Sequence, residues 1–115
     1  MKTITIEELI EKLKKFKNEY ILVVLEGNIQ EKISMHLTEV NKEKDYIEMV
    51  YNKTKSIEFG KSLRINIHQI KNIESNEDAE FYIYLDGNQK VIIFTDMKVL
   101  INHNLLNWIN RCIYS

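Results

Sequence analysis

The sequence predicts an α+β domain: an N-terminal helix, six or seven mostly antiparallel strands as a curved sheet or small barrel, and a C-terminal helix packing on it. Three observations carry this. Apolar residues recur at helical spacing near the start of the chain and again at its end. Between those stretches they alternate with polar residues, the period of strands with one buried face. Every connection between the alternating segments is short, so none can hold the crossover that a parallel pair needs.

Residues 5–18 read as the first helix. Thr5 and Glu8 form a capping box, and Ile4 with Leu9 makes a hydrophobic staple. Ile6, Leu9, Ile10, Leu13 and Phe16 give one apolar stripe. Glu7 and Glu8 sit at the positive end of the helix dipole, and Lys14, Lys15 and Lys17 at the negative end.

Residues 20–26 are β-branched and apolar, the mark of a buried strand. Gly27-Asn28 is a two-residue hairpin signal. The next strand is expected over 29–40, with Ile29, Ile33, Met35 and Leu37 on one face and Gln30, Lys32, Ser34, His36 and Thr38 on the other. After a charged turn at 41–45, Ile47, Met49 and Tyr51 mark a third strand. A polar turn at 52–56 leads to a run in which Ile57, Phe59, Leu63, Ile65 and Ile67 are in phase, with Gly60 as a bend inside it. The phase breaks at His68-Gln69, and Ile70 and Ile73 follow as a short strand or one helical turn.

Residues 74–79 read as an acidic loop. Phe81, Ile83 and Leu85 alternate with Tyr82 and Tyr84, and Asp86-Gly87-Asn88 is the second hairpin turn. Residues 91–95 return as a strand that is apolar on both faces. Asn102 or Asn104 is placed to cap a last helix over 105–113, where Leu105, Ile109 and Cys112 share a stripe beside Trp108.

Composition bounds the function. The chain has 115 residues, which fits one domain, with three glycines, no proline and one cysteine. That excludes collagen-like and Pro/Gly-rich segments, flexible linkers and an intramolecular disulfide. The glycines stand apart, so no Gly-x-Gly or Gly-Lys-Ser/Thr phosphate cradle exists. A net charge of -1 fits neither a nucleic-acid mimic nor a histone-like binder. The longest apolar run, 21–25, is too short to span a membrane, and the first eight residues hold no signal-peptide core, so the expected compartment is the cytoplasm. Ile, Lys and Asn together make 44 of the 115 residues, against one alanine, which points to A/T-rich codons and a low-GC bacterium or one of its phages or plasmids.

The stretch 65–112 reads INIHQIKNIE, then EFYIYLDGNQKVIIFT, then LLNWINRC. It resembles a pleckstrin-homology-like barrel, whose tryptophan-bearing helix plugs one end; the resemblance implies that Trp108 takes that place. The phosphoinositide-binding members resemble one another in a basic first hairpin. Here that hairpin holds Glu26 and Glu31 and no base before Lys32, so lipid binding is not carried over. Residues 20–74 also look a little like an Sm-like barrel but lack its glycine signatures, so RNA binding is not implied.

No catalytic, cofactor or metal constellation stands out. His36, His68 and His103 are far apart and none begins a ligand-spaced pair. His36 is expected to face solvent, and Cys112 to be a small buried hydrophobe. Charge is unevenly spread: residues 40–73 carry a net +3 and residues 74–115 a net −3. Ordinary solvated strand faces account for this, while a sharper reading is a dipolar surface that steers a charged partner. Tyr82 and Tyr84 form an aromatic face opposite Phe81, Ile83 and Leu85 that the last helix or a partner must cover, so the expected interaction surface comprises Tyr82, Tyr84, Lys61, Arg64, Glu77 and Asp78. The leading expectation is a small non-enzymatic protein-binding module with no cofactor, such as a phage or mobile-element accessory or inhibitor protein or a bacterial adaptor. The alternative is nucleic-acid binding through the basic stretch 53–71, and the third is a barrel-mouth pocket with a histidine and an acid within hydrogen-bond reach. A free sheet edge leaves homo-oligomer formation open.

Overall fold

The protein is described here by a computed structural model covering residues 1–52 and 60–96. Its elements run β1 (Lys2–Thr3), α1 (Ile6–Lys14), β2 (Tyr20–Glu26), β3 (Glu31–Lys42), β4 (Tyr46–Tyr51), β5 (Lys61–Asn66), a 3-10 turn (Ile67–Gln69), β6 (Ile70–Asn76), β7 (Glu80–Leu85) and β8 (Gln89–Phe94). The strands form one eight-stranded sheet in the order β1-β6-β7-β8-β2-β3-β4-β5, antiparallel throughout.

This corrects the expected helix–sheet–helix arrangement with six or seven strands. Among the described residues the sheet has eight strands and is open, since β1 and β5 stand at its two ends. Among the described residues α1, nine residues long, is the one α-helix. The helix expected over 105–113, with Trp108 and Cys112, lies outside the described residues, as do His103 and the strand positions Ile57 and Phe59.

α1 forms where its local signals agree. The Thr5 side chain accepts from the Glu8 N–H at 3.1 Å, and Glu8 reaches back to the Thr5 N–H. Leu9, Ile10 and Leu13 are buried on the sheet. The helix ends at Lys14, earlier than expected, and Asn18 turns the chain with φ +69°.

The sheet curls because β3 bends. Its first half, from Glu31 to His36, pairs with β2, and its second half pairs with β4 after a register shift between Leu37 and Glu39. Such a bulge bends a strand and raises its twist. The 3-10 turn then ties the sheet's distant parts together. The Ile67 N–H donates to the Asp45 carbonyl at 2.9 Å, and the Asp86 N–H donates to the Gln69 carbonyl at 3.0 Å. The Asn66 side chain caps the turn by accepting from the His68 N–H at 2.9 Å. The chain thus passes from β5 at one end of the sheet to β6 near the other.

One core fills the concave side. Ile21 and Val23 of β2, Met35 and Leu37 of β3, Ile47 and Met49 of β4, Ile65, Ile73, Phe81, Ile83 and Ile93 all belong to it, with α1 packed against them. Side chains alternate across a strand, so Leu22, Val24, Ile92 and Phe94 point the other way. They form a second, buried cluster on the convex face, against which Tyr82 packs.

Two stretches depart from the sequence reading. The acidic loop expected over 74–79 is strand as far as Asn76, and Ser75 is buried at 6% exposure beside Phe81 of β7. The turn is shorter and rests on Glu77 and Asp78, both left-handed. Ile29, expected to face the core, is 80% exposed, because residues 27–30 form a loop and β3 begins only at Glu31.

Candidate interaction surface

β5 pairs with β4 along one side only, through six consecutive pairs from Tyr46↔Asn66 to Tyr51↔Lys61. Among the described residues its other side has no strand partner. Beside it opens a cleft of about 580 Å³. One wall is β5, with Leu63 and Ile65. The facing wall is Leu25 of β2, Leu85 of β7 and Val91 of β8. These strands are several positions away in the sheet order, so the cleft exists only because the sheet curls.

The leucines are half-buried. Leu25, Leu63 and Leu85 pack on the edge of the core without being closed over, whereas Ile65 and Val91 are buried. Polar side chains rim this apolar floor: Glu26, Glu31, Arg64, Gln69, Gln89 and Lys90. Lys90 Nζ lies 3.3 Å from a Glu26 carboxylate oxygen. The cleft lies at the end of the β7–β8 hairpin away from α1. Leu85 and Gln89 line it, whereas Lys12 of α1 pairs with Asp78 at the other end of β7.

Arg64 is the best-placed charge. Its Nε donates to Glu48 at 2.8 Å, and its guanidinium stands 4.6 Å over the Tyr46 ring. The hydrogen bond to Glu48 and the nearby Tyr46 hold its pKa above the ordinary arginine value. It is anchored from below by the neighbouring strand while its side chain stays 60% exposed.

The six expected surface residues fall in three places. Lys61 and Arg64 lie on β5, and Arg64 lines the cleft. Glu77 and Asp78 form the β6–β7 turn, with Asp78 paired to Lys12. Tyr82 and Tyr84 lie on the convex side of β7. Tyr82 packs against the buried cluster and donates its hydroxyl to the Glu80 carboxylate. Burial first, and that bond second, push the Tyr82 pKa well above the ordinary phenol value. Tyr84 lines a second opening with Lys71, Gln30 and Lys90. Of these six, Arg64 lines the cleft, whose apolar half was not among the expected surface residues. Leu25, Leu63, Leu85 and Val91 read as plain core residues, and only Gly27, which lets the 27–30 loop approach Gln89, hints at close packing there.

The basic stretch does not stand as an open patch over the residues described. Arg64 meets Glu48, and Lys71 lies 3.9 Å from Asp86. Lys53, Lys55 and Glu58 lie outside the described residues. His36, expected to face solvent, is partly buried: its Nε2 meets the Asn18 carbonyl at 2.9 Å and its ring lies 4.9 Å from the Tyr20 ring. His68 pairs with Asp45 at 2.9 Å, but both side chains are exposed and neither lines the cleft. No group of three or more potential metal-ligating side chains occurs among the described residues, and none of their helices is long and apolar enough to cross a membrane.

No family model matches the chain, and neither does any curated protein or solved structure with which it was compared.

Proposed function

We propose that this chain is a small, non-enzymatic protein-binding module, working in the cytoplasm, that engages its partner at the cleft beside β5. The observation that carries the reading is the meeting of a strand edge that has no strand partner among the described residues with an apolar-floored cleft. Exposed strand edges invite a further strand, and half-buried leucines offer area that a partner removes from water. The polar rim supplies orientation around that floor, the usual anatomy of a protein interface.

A comparison of wild type with Leu63→Asp tests this. Both are used as bait in a lysate of a low-GC bacterium with its nucleic acids left intact. The expected result is a specific protein held by wild type and lost from Leu63→Asp, with the variant still folded by circular dichroism. Capture of nucleic acid that weakens steeply with salt, without a protein lost from the variant, overturns the reading.

A further inference from the structure

Edge strands are commonly blunted by proline, by bulges or by charged side chains, lysine above all. β5 has none of the first two: its sequence, KSLRIN, lacks proline, and its ladder with β4 runs without a register shift. Its side chains divide by alternation. Leu63 and Ile65 lie on the face that packs on the core and floors the cleft, and Ser62, Arg64 and Asn66 on the opposite face, with Arg64 and Asn66 also lining the cleft's rim. The strand carries two cations, Lys61 and Arg64, and no carboxylate.

We infer that β5 takes up an extended segment of the partner protein as a ninth strand, and that this segment alternates apolar residues with acidic ones. The inference rests on the protein-binding reading above and specifies its partner. An added strand takes main-chain hydrogen bonds from the edge, while alternate side chains fill pockets and set specificity. Its apolar positions continue the row of Leu63 and Ile65 over the cleft, toward Leu25, Leu85 and Val91. Its other positions fall beside Arg64. The bond to Glu48 uses only the Nε–H of Arg64, and a guanidinium carries four further N–H donors on its Nη atoms. A carboxylate on the added strand is therefore matched by a donor already held in place, the fork geometry that favours carboxylates over other acceptors. A nucleic acid is the poorer fit: its bases want exposed aromatic faces between the cations, and the residues flanking Arg64 on β5 are Leu63 and Ile65.

The test uses the full chain and a fluorescein-labelled eight-residue peptide of alternating leucine and glutamate. Two twins carry N-methyl groups on alternate amides, one on each edge of the extended peptide. The expected result is binding of the parent peptide and of one twin, with the other twin weakened by about tenfold or more, since only one edge bonds to β5. A leucine–lysine peptide is expected to bind at least about tenfold more weakly, and Arg64→Glu, an exposed position, to reverse that preference. Equal binding of the two twins, or amide shifts centred on Tyr82 and Tyr84 instead of on residues 61–66, overturns strand addition while leaving the protein-binding reading intact. Absence of binding by every peptide at about 1 mM also overturns the inference. The bait comparison above judges the broader reading separately.

Discussion

Gly27 lies against Gln89 so closely that a Cβ at position 27 would stand 2.7 Å from Gln89 Cγ and 3.3 Å from its Cβ. The glycine at the β2–β3 loop is there for proximity. Gly87, in the β7–β8 turn, would place a Cβ in ordinary contact with Gln89 Nε2 at 3.8 Å and is required instead by its φ of +76°. Asn28, beside Gly27, and Gln89 both line the cleft.

Gly27→Ala is therefore expected to destabilise the fold by about 1–3 kcal/mol through overpacking, measured by urea unfolding. Gly87→Ala is expected to cost about 1–2 kcal/mol through backbone strain. Gln89→Ala, which removes the atom at 2.7 Å, should recover part of the first loss and none of the second. Equal recovery of both would refute the distinction.

The Tyr82 and Tyr51 phenols both keep their protons to higher pH than usual, Tyr82 through burial and its bond to Glu80, Tyr51 through burial and the Glu31 charge. In the unfolded chain they titrate near pH 10. Above that pH the unfolded state holds fewer protons than the folded one, so stability falls as pH rises. The contribution is fully present below about pH 10 and is lost above it. Tyr82→Phe should flatten this alkaline slope in urea unfolding series, at a cost of about 1–2 kcal/mol at neutral pH for the lost hydroxyl bond. An unchanged slope would contradict the assignment.

Phe81 is fully buried in β7 and Met49 in β4, whereas Leu63 is half-buried at the cleft. Phe81→Ala and Met49→Ala should each cost about 2–5 kcal/mol. Leu63→Ala should cost clearly less, because its site opens to water. A loss at Leu63 as large as at Phe81 would mean that the cleft wall is core and not a surface.

Thr5→Ala removes one half of the α1 capping box. The expected cost is about 1 kcal/mol, read as a lower midpoint in thermal unfolding with partner binding unchanged, since α1 lies at the end of the sheet away from the cleft.

What the sequence disclosed follows from the range of the forces involved. The α1 cap and stripe are local, and so are the alternations of Ile47 and Met49 or Phe81 and Ile83; all sit where their periods place them. β1 was not legible, because two residues show no period and their pairing, Lys2↔Ser75 and Thr3↔Glu74, joins positions some seventy residues apart. The same long-range pairing keeps Glu74, Ser75 and Asn76 in a strand despite their turn-like chemistry. Gly27-Asn28 suggested a tight hairpin, yet the loop takes four residues and leaves Ile29 in water. The cleft was hidden for a third reason. Leu63 and Val91 belong to strands four places apart in the sheet order, and only the bend in β3 and the ties of the 3-10 turn bring them to one opening.

Hydrogen–deuterium exchange on the full chain, alone and with the protein captured by the wild-type bait, tests the central claim most directly. The amides of residues 61–66 are expected to be slowed by the partner, with those around Tyr82 and Tyr84 unchanged. Slowing confined to β7, with β5 unaffected, would contradict it.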